Sequence, residues 1–116
     1  MRMWGVDPRL LCRKHLLGEH VEMHMFVGTL RKGSRLTGYI QKGLVEVQNI
    51  VARHGELETE MLCRGMNHRS PLPDTASDLL YEAGNVDRVA NLTELQRRCE
   101  ECKRRQESHK NAPLAQ

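Results

Sequence analysis

The sequence predicts an all-α fold, a compact single-domain helical bundle, from three observations. Its 116 residues fit one small domain with a modest core. Hydrophobic residues make up 39% of the chain and charged residues 28%, a balance that is typical of globular proteins. Aromatic residues contribute only 3%. The core must therefore be built from Leu, Val and Met, which favours packed helices over a β-sandwich.

The first predicted helix runs from Pro8 to Arg31. Asp7 is a good N-cap, and a proline suits the first helical position. Apolar residues then recur at mostly helical spacing. The segment KGSRLTG, residues 32–38, has the composition of a turn and should end this helix.

A second helical pattern extends from Ile40 to Leu62. Arg64 and Gly65 follow it as a C-terminal signature, a cation in the last turn and then a glycine. Gly43 and Gly55 are the two positions at which this helix could be interrupted.

The remainder of the chain is predicted to hold a loop, a short helix and a last helix. The loop is NHRSPLPDT, and the short helix is ASDLLYEAGN. Thr93 and Gln96 form a capping-box pattern that opens a last helix of about 15 residues. That helix is mostly polar, so it should dock through a thin stripe of Leu95, Cys99 and Cys102. Residues 110–116 are expected to be a disordered tail, which leaves residues 1–109 as the domain.

The charge and the cysteines set limits on function. A net charge of +3, with an excess of four basic over acidic residues in the first 35 positions, permits DNA binding without requiring it. The sequence shows neither a secretory signal nor an apolar run of about 18 residues, the length needed to span a membrane. We therefore expect a cytoplasmic protein with reduced thiols and no membrane segment.

Two patterns in the sequence contain residue types that bind metals. His20 and His24 are one helical turn apart, but the intervening glutamate is out of register for the zinc-protease motif, and no third ligand is evident. Cys99 and Cys102 form a lone CxxC without a second pair at ligand spacing, which is a weak signal. The two thiols are expected to face the core instead, so no metal site is predicted.

The amino terminus is a candidate nucleophile. The bulky Arg2 should protect Met1 from removal by the aminopeptidase, which prefers a small second residue. An α-amine ordinarily titrates near pH ~7.7–8.0, far below a lysine at ~10.4, so a useful fraction is neutral at physiological pH. Such an amine can form a Schiff base with a sugar carbon. The alternative is a frayed chain end, against which the early Trp4 argues as an anchor into the core.

His15, Glu19 and Glu22 share one face of the first predicted helix. Alone, this pattern fits a solvated polar stripe. The stretch HLLGE followed by a second glutamate, however, resembles the start of the pyrimidine-dimer DNA glycosylase family of phages and bacteria, the endonuclease V type. The opening Met1-Arg2-x-Trp4 resembles its short bacterial members.

A second block of the sequence is similar to a later segment of the same family, and the resemblance covers about residues 1–72. The matching residues of that block are Arg53, His54, Glu60, Met61, Arg64, Gly65, His68, Ser70, Pro71 and Leu72.

The resemblance implies a compact all-α fold whose N-terminal segment is threaded between helices. It implies that the α-amine of Met1 attacks C1′ of the damaged nucleotide and that Glu22 is the acid/base carboxylate. β-Elimination then nicks the strand. No metal or cofactor is implied. We expect a monomer whose partner is double-stranded DNA containing a lesion.

Five residues are predicted to contact DNA or to orient the groups that do. Arg2, beside the amine, is the best candidate for a phosphate contact. Arg13 and Lys14 add positive charge at the start of the first helix. His15 would bind a phosphate or orient Glu19, with structural packing as the alternative. Glu19 is the fifth residue predicted at the DNA-binding site.

The chain departs from the family at Val21 and Met25, where members carry arginines that contact DNA. This departure leaves alternatives open. One is a glycosylase for another modified base, and another is a non-catalytic helical module that binds DNA or protein. A metal hydrolase built on His20 and His24 is the third.

Overall fold

The computed structural model describes residues 1–67 and 70–111, the last two without their side chains. It confirms the all-α prediction, because this part of the chain contains five α-helices and no strand. None of these helices is both long and apolar enough to span a bilayer. The helices are α1 (Arg13–Arg31), α2 (Thr37–Gln41), α3 (Ile50–Cys63), α4 (Arg88–Arg98) and α5 (Glu100–Asn111), and three 3-10 turns cover Pro8–Leu10, Val47–Asn49 and Ala76–Leu79.

The centre of the molecule is the packing of α1 against α3. Met23 and Phe26 of α1 and Leu57 of α3 are fully buried there. Helices α4 and α5 pack on each other, and α5 also lies against the turn of Pro8–Leu10. Leucine, valine and methionine supply most of the core, as the scarcity of aromatic residues predicted.

Helix α1 ends at Arg31 as predicted, but the predicted start at Pro8 is wrong. Asp7 caps only the 3-10 turn, accepting a hydrogen bond of 3.0 Å from the N–H of Arg9. The chain is then extended at Leu11 and Cys12. Cys12 is the true N-cap of α1. The spacing of apolar residues does not reveal this break, and the cap itself gives no signal because cysteine is not one of the residues that usually cap helices.

The second predicted helix is divided. Gly43 lies in the left-handed region, with φ +68°, and ends the short helix α2 in a tight turn. Gly55, by contrast, lies within α3 without interrupting it. Gly65, with φ +77°, follows the C-cap Arg64, which confirms the predicted C-terminal signature.

The predicted helix over residues 76–85 is wrong. Only the turn Ala76–Leu79 is helical, and the chain that follows is irregular. Side chains hold its backbone: Gln48 exchanges two hydrogen bonds with Gly84, and the carboxylate of Glu46 accepts one of 3.1 Å from the N–H of Val86. These bonds satisfy backbone groups that a helix would otherwise pair.

The predicted capping box at Thr93 is also wrong. Asp87 caps α4, accepting a hydrogen bond of 2.9 Å from the N–H of Ala90. Thr93 therefore lies inside the helix, where its hydroxyl donates to the carbonyl of Val89. The helix then breaks at the extended Cys99 before α5 begins.

The docking stripe of the last helix is confirmed, with Leu95 and Cys102 fully buried and Cys99 partly buried. Helix α5 continues to Asn111, two residues into the predicted tail. The rest of that tail, residues 112–116, lies outside the described residues, as do His68 and Arg69 of the predicted loop. The domain boundary at residue 109 stays a prediction.

A buried ion pair joins α1, α3 and the start of the chain. Arg53 donates to the carboxylate of Glu19 through Nε at 2.6 Å and Nη2 at 3.0 Å. Its Nη1 donates to the carbonyl of Val6 at 2.7 Å. Glu19 is 1% exposed and Arg53 is 3% exposed. The pair is therefore shielded from the solvent that weakens surface ion pairs.

We expect Arg53→Met to lower the free energy of unfolding by about 3–5 kcal/mol, because it leaves the Glu19 carboxylate buried without a partner. Urea denaturation of the full chain measures this loss. The matched control is Arg97→Met, whose ion pair with Glu94 lies at the surface and should contribute little. Equal stabilities of the two variants would contradict this account of the pair.

Candidate active site

The first residues of the chain are threaded into the core rather than frayed. Met3 and Trp4 are buried. The N–H of Met3 donates to the carbonyl of Leu44 at 2.6 Å, and the side-chain amide of Asn91 donates to the carbonyl of Trp4 at 2.7 Å. Trp4 is thus an anchor, as the sequence predicted, and the start of the chain has a fixed place.

A pocket of about 530 Å³ opens beside this segment. Met1 and Glu22, the predicted nucleophile and acid/base, both line it. Every other predicted site residue lines it too, except Arg13, which lies exposed on the first turn of α1. The full lining is Met1, Arg2, Trp4, Lys14, His15, Gly18, Glu19, Glu22, Leu44 and Arg98.

Glu22 has an environment suited to proton transfer. Burial raises the pKa of its carboxyl, while the backbone N–H of Arg2 and the positive amino terminus oppose that rise. The net effect is a pKa above the ordinary glutamate value. A carboxyl whose pKa moves toward neutrality is better matched to giving and taking protons at physiological pH.

Arg2 is fixed in the pocket wall by two contacts. Its guanidinium carbon lies 3.9 Å from the centre of the Trp4 ring, a cation–π arrangement. Its Nη2 donates to the side-chain oxygen of Asn91 at 2.7 Å. Burial lowers the pKa of Arg2, and the nearby Arg98 lowers it further. The contact of Arg2 with a phosphate stays a prediction.

Glu19 does not present an open carboxylate to the pocket, because both of its oxygens accept hydrogen bonds from Arg53. Glu19 thus forms part of the pocket wall while its carboxylate is held by Arg53. The predicted role of Glu19 toward DNA stays a prediction. The same holds for Lys14, which is exposed and lines the pocket, and for Arg13, which is exposed outside it.

His15 faces both the pocket and a group of cysteines. Burial lowers the pKa of its imidazole, and the charges of Lys14 and Arg98 lower it further. The ring is therefore mostly neutral at pH 7, which removes the charge that would attract a phosphate. Its Nδ1 lies 3.2 Å from the sulfur of Cys12 and 3.6 Å from that of Cys102. Phosphate binding by His15 stays a prediction.

Within the part of the chain that the structure describes, the fold assembles two clusters of metal-ligating side chains, which the sequence indicated only in part. In each cluster the ligand atoms lie within 4.8 Å of one another. His54 of α3 joins His20 and His24, and only the packing of α3 on α1 reveals it. Cys12 and His15 join Cys99 and Cys102. The spacing Cys-x-x-His in CRKH, residues 12–15, is a sequence signal that could have added Cys12 and His15 to the CxxC pair.

Two residues of α4 were missed entirely. Asn91 bonds both Trp4 and Arg2, and Arg98 lines the pocket. Neither belongs to a motif, and both reach the site only because α4 returns to the N-terminal segment. No local sequence signal could have identified them.

A family model described as pyrimidine dimer DNA glycosylase matches residues 1–74. The chain belongs to this family. The family implies a DNA substrate that carries pyrimidine dimers. No curated protein and no solved structure significantly matches the chain.

We expect Glu22→Gln to stabilise the fold near neutral pH. A raised carboxyl pKa means that ionisation of Glu22 costs more free energy in the folded state than in the unfolded state, so the ionised carboxylate destabilises the fold. This penalty is absent below the ordinary value of about 4.3, grows as the pH rises from there to the folded pKa, and is complete above the folded pKa. The urea midpoint of the variant should exceed that of the wild type at about pH 7.5 and approach it at about pH 4.

The control for this measurement is Glu107→Gln, a change of the same charge at an exposed position of α5. It should leave the difference between the two pH values as in the wild type. A Glu22→Gln protein that is less stable than the wild type at neutral pH would contradict the burial argument.

Proposed function

We propose that the protein is a pyrimidine-dimer DNA glycosylase with AP-lyase activity, in which the α-amine of Met1 is the nucleophile. The observation that carries this proposal is the pocket that brings Met1 and Glu22 together at the end of a threaded segment. Membership of the glycosylase family supplies the substrate class. The pocket volume of about 530 Å³ is typical of sites that enclose a small-molecule group.

The proposed reaction begins when the neutral amine attacks C1′ of the damaged nucleotide. The glycosidic bond breaks, and the base leaves with its electron pair and takes up a proton. Opening of the sugar ring then gives an imine between the Met1 nitrogen and C1′. Removal of a proton from C2′ expels the 3′ phosphate by β-elimination and nicks the strand. Water finally hydrolyses the imine and releases the amine.

Glu22 is proposed to act in two of these steps. Its carboxylate stabilises the positive charge of the protonated imine, and it accepts the proton that leaves C2′. The raised pKa supports this assignment, because such a carboxyl is a stronger base than an ordinary glutamate. No metal is needed in this scheme, since the protonated imine serves as the electron sink.

Binding to DNA is proposed to place the pocket against the phosphate backbone. Lys14 and Arg98 lie on its rim, Arg2 lies in its wall, and Arg13 is exposed on the adjoining turn. Contacts of basic side chains with phosphates provide affinity that falls with salt. Reaching C1′ in a duplex also requires a flipped base or a kink. The proposed acting unit is a monomer in the cytoplasm.

One observation favours a second candidate function. Val21 is 53% exposed and Met25 is 49% exposed, and these apolar residues stand where the resemblance places DNA-contacting arginines. An enzyme that lacks those two contacts could act on another modified base. It could also be a binding module that has kept the fold without the reaction.

Borohydride trapping tests the proposal. Untagged protein is mixed with oligonucleotides that carry a thymine dimer or an abasic site, and peptide mapping locates the adduct. We expect an adduct at Met1 with both substrates, because the same imine forms on each. An extension ahead of Met1 should abolish it. Glu22→Gln should slow strand nicking by about 100-fold or more, whereas Glu107→Gln should leave the rate unchanged.

The other outcomes separate the candidate functions. An adduct with the abasic site alone would keep the lyase and assign the enzyme to a different base lesion. An adduct at Lys14, which also lines the pocket, would replace Met1 as the nucleophile. No adduct with either substrate, from protein with a free amino terminus, would favour the binding module.

We expect the double variant Val21→Arg, Met25→Arg to bind dimer-containing duplex more tightly and with a steeper dependence on salt. Each new phosphate contact should steepen the slope of log K against log salt by about 0.9. Fluorescence anisotropy at several salt concentrations measures it. The control is Leu62→Arg, which adds a charge at an exposed position of α3 away from the pocket lining. Equal slopes for the double variant and the Leu62→Arg control would show that the face of α1 that carries Val21 does not contact DNA.

A further inference from the structure

We propose that Cys12, His15, Cys99 and Cys102 bind a zinc ion that fastens α1 to α5 beside the pocket. This site goes beyond the proposed glycosylase reaction and does not depend on it. The four side chains come from the two ends of the chain, and their ligand atoms lie within 4.8 Å of one another.

The spacing of the ligand atoms fits a tetrahedral zinc centre. Bonds of about 2.3 Å to sulfur and about 2.0 Å to nitrogen separate the ligand atoms by about 3.5–3.8 Å. The sulfurs of Cys12 and Cys99 are 3.8 Å apart. His15 Nδ1 is 3.6 Å from the Cys102 sulfur, within this range, and 3.2 Å from that of Cys12, slightly shorter than it. The set of three cysteines and one histidine is one of the common structural zinc sets.

The site is built from two similar halves. Cys12-x-x-His15 begins α1, and Cys99-x-x-Cys102 begins α5. In each half the first cysteine is extended, and its sulfur accepts a hydrogen bond from the backbone N–H three residues later, at 3.4 Å and 3.5 Å. The N–H of Cys12 also donates to the sulfur of Cys102 at 3.3 Å. These donors would stabilise thiolates.

The two halves coincide with the two helix breaks that the sequence did not predict. The first predicted helix begins later than expected because the backbone is extended at Cys12. The last predicted helix is divided into α4 and α5 because the backbone is extended at Cys99. Both breaks turn a cysteine sulfur toward the same point. A metal that occupies that point gives a physical reason for both interruptions.

The surroundings suit the charge of the centre. Three thiolates, a neutral imidazole and Zn²⁺ carry one net negative charge, and the thiol protons pass to solvent when the metal binds. The positive charges of Lys14 and Arg98 act on His15. The positive ends of α1 and α5 also face the site. The distance of 3.8 Å between Cys12 and Cys99 is far longer than a disulfide bond of about 2.0 Å, so the thiols are free to bind a metal.

The histidine cluster is a weaker competitor for the same metal. The Nε2 of His54 lies 3.2 Å from that of His24 and 3.3 Å from the carbonyl of Ser70. Its Nδ1 lies 3.8 Å from the carboxylate of Glu58. Contacts with neighbouring protein groups thus occupy both ring nitrogens of His54 without a metal. The cysteine site has four ligands, which closes it to substrate and gives it a structural role.

The test is the zinc content of the purified full chain, kept with a thiol reductant and measured by mass spectrometry of the elements. We expect one zinc per chain in the wild type and its loss in Cys102→Ser. Cys63→Ser makes the same change at an exposed cysteine outside the cluster and should retain the metal. His24→Gln should also retain it.

Cobalt substitution keeps the test decisive if Cys102→Ser does not fold. The wild-type chain, stripped of metal and titrated with Co²⁺, should give tetrahedral visible bands and an intense thiolate charge-transfer band. Zinc lost from His24→Gln but kept by Cys102→Ser would overturn the assignment, as would Co²⁺ spectra without thiolate bands. A wild-type chain that binds no zinc after its addition under reductant would also overturn it. None of these readouts requires glycosylase activity.

Discussion

The buried ion pair between Arg53 and Glu19 is the interaction on which the rest of the structure depends. A guanidinium and a carboxylate can be buried together only when each satisfies the other and the remaining hydrogen bonds are made. Arg53 meets that condition by donating also to the carbonyl of Val6. One side chain therefore sets the position of α1, of α3 and of the threaded N-terminal segment. The relative position of Met1 and Glu22 follows from that arrangement, because Glu22 lies one turn beyond Glu19 on α1.

The two sequence blocks that resemble the glycosylase family meet in space through this pair. Glu19 belongs to the first block and Arg53 to the second. Arg64, also in the second block, donates to the carbonyls of Pro8 and Leu11 at 3.2 Å and 2.7 Å. It thereby holds the turn from which α1 starts. Much of what makes the motif recognisable is thus scaffold that positions the chain start.

The sequence could predict features for which one short segment offers a single solution, and it could not predict features in which neighbouring residues compete or distant segments meet. Helix α3 ends before Gly65 as expected, because the positive φ angle that follows a helix end favours glycine at that one position. The capping box at Thr93 failed because Asp87, earlier in the chain, supplied a competing cap. Within the site, a resemblance placed Glu22 and Met1 together. Asn91 remained invisible, because its role depends on how α4 returns to the core.

The region beyond the family match completes the pocket, because Arg98 of α4 lines it together with residues of the N-terminal segment and α1. Met1 and Glu22 lie within residues 1–74, and the proposed reaction at the sugar needs only these two. Arg98 of α4 also lines the pocket, and it precedes Cys99, whose sulfur lies 3.8 Å from that of Cys12. An amine that attacks C1′ does not distinguish one damaged base from another. Under the proposed mechanism, discrimination between lesions would come from the side chains around the pocket, and Arg98 of α4 is one of them.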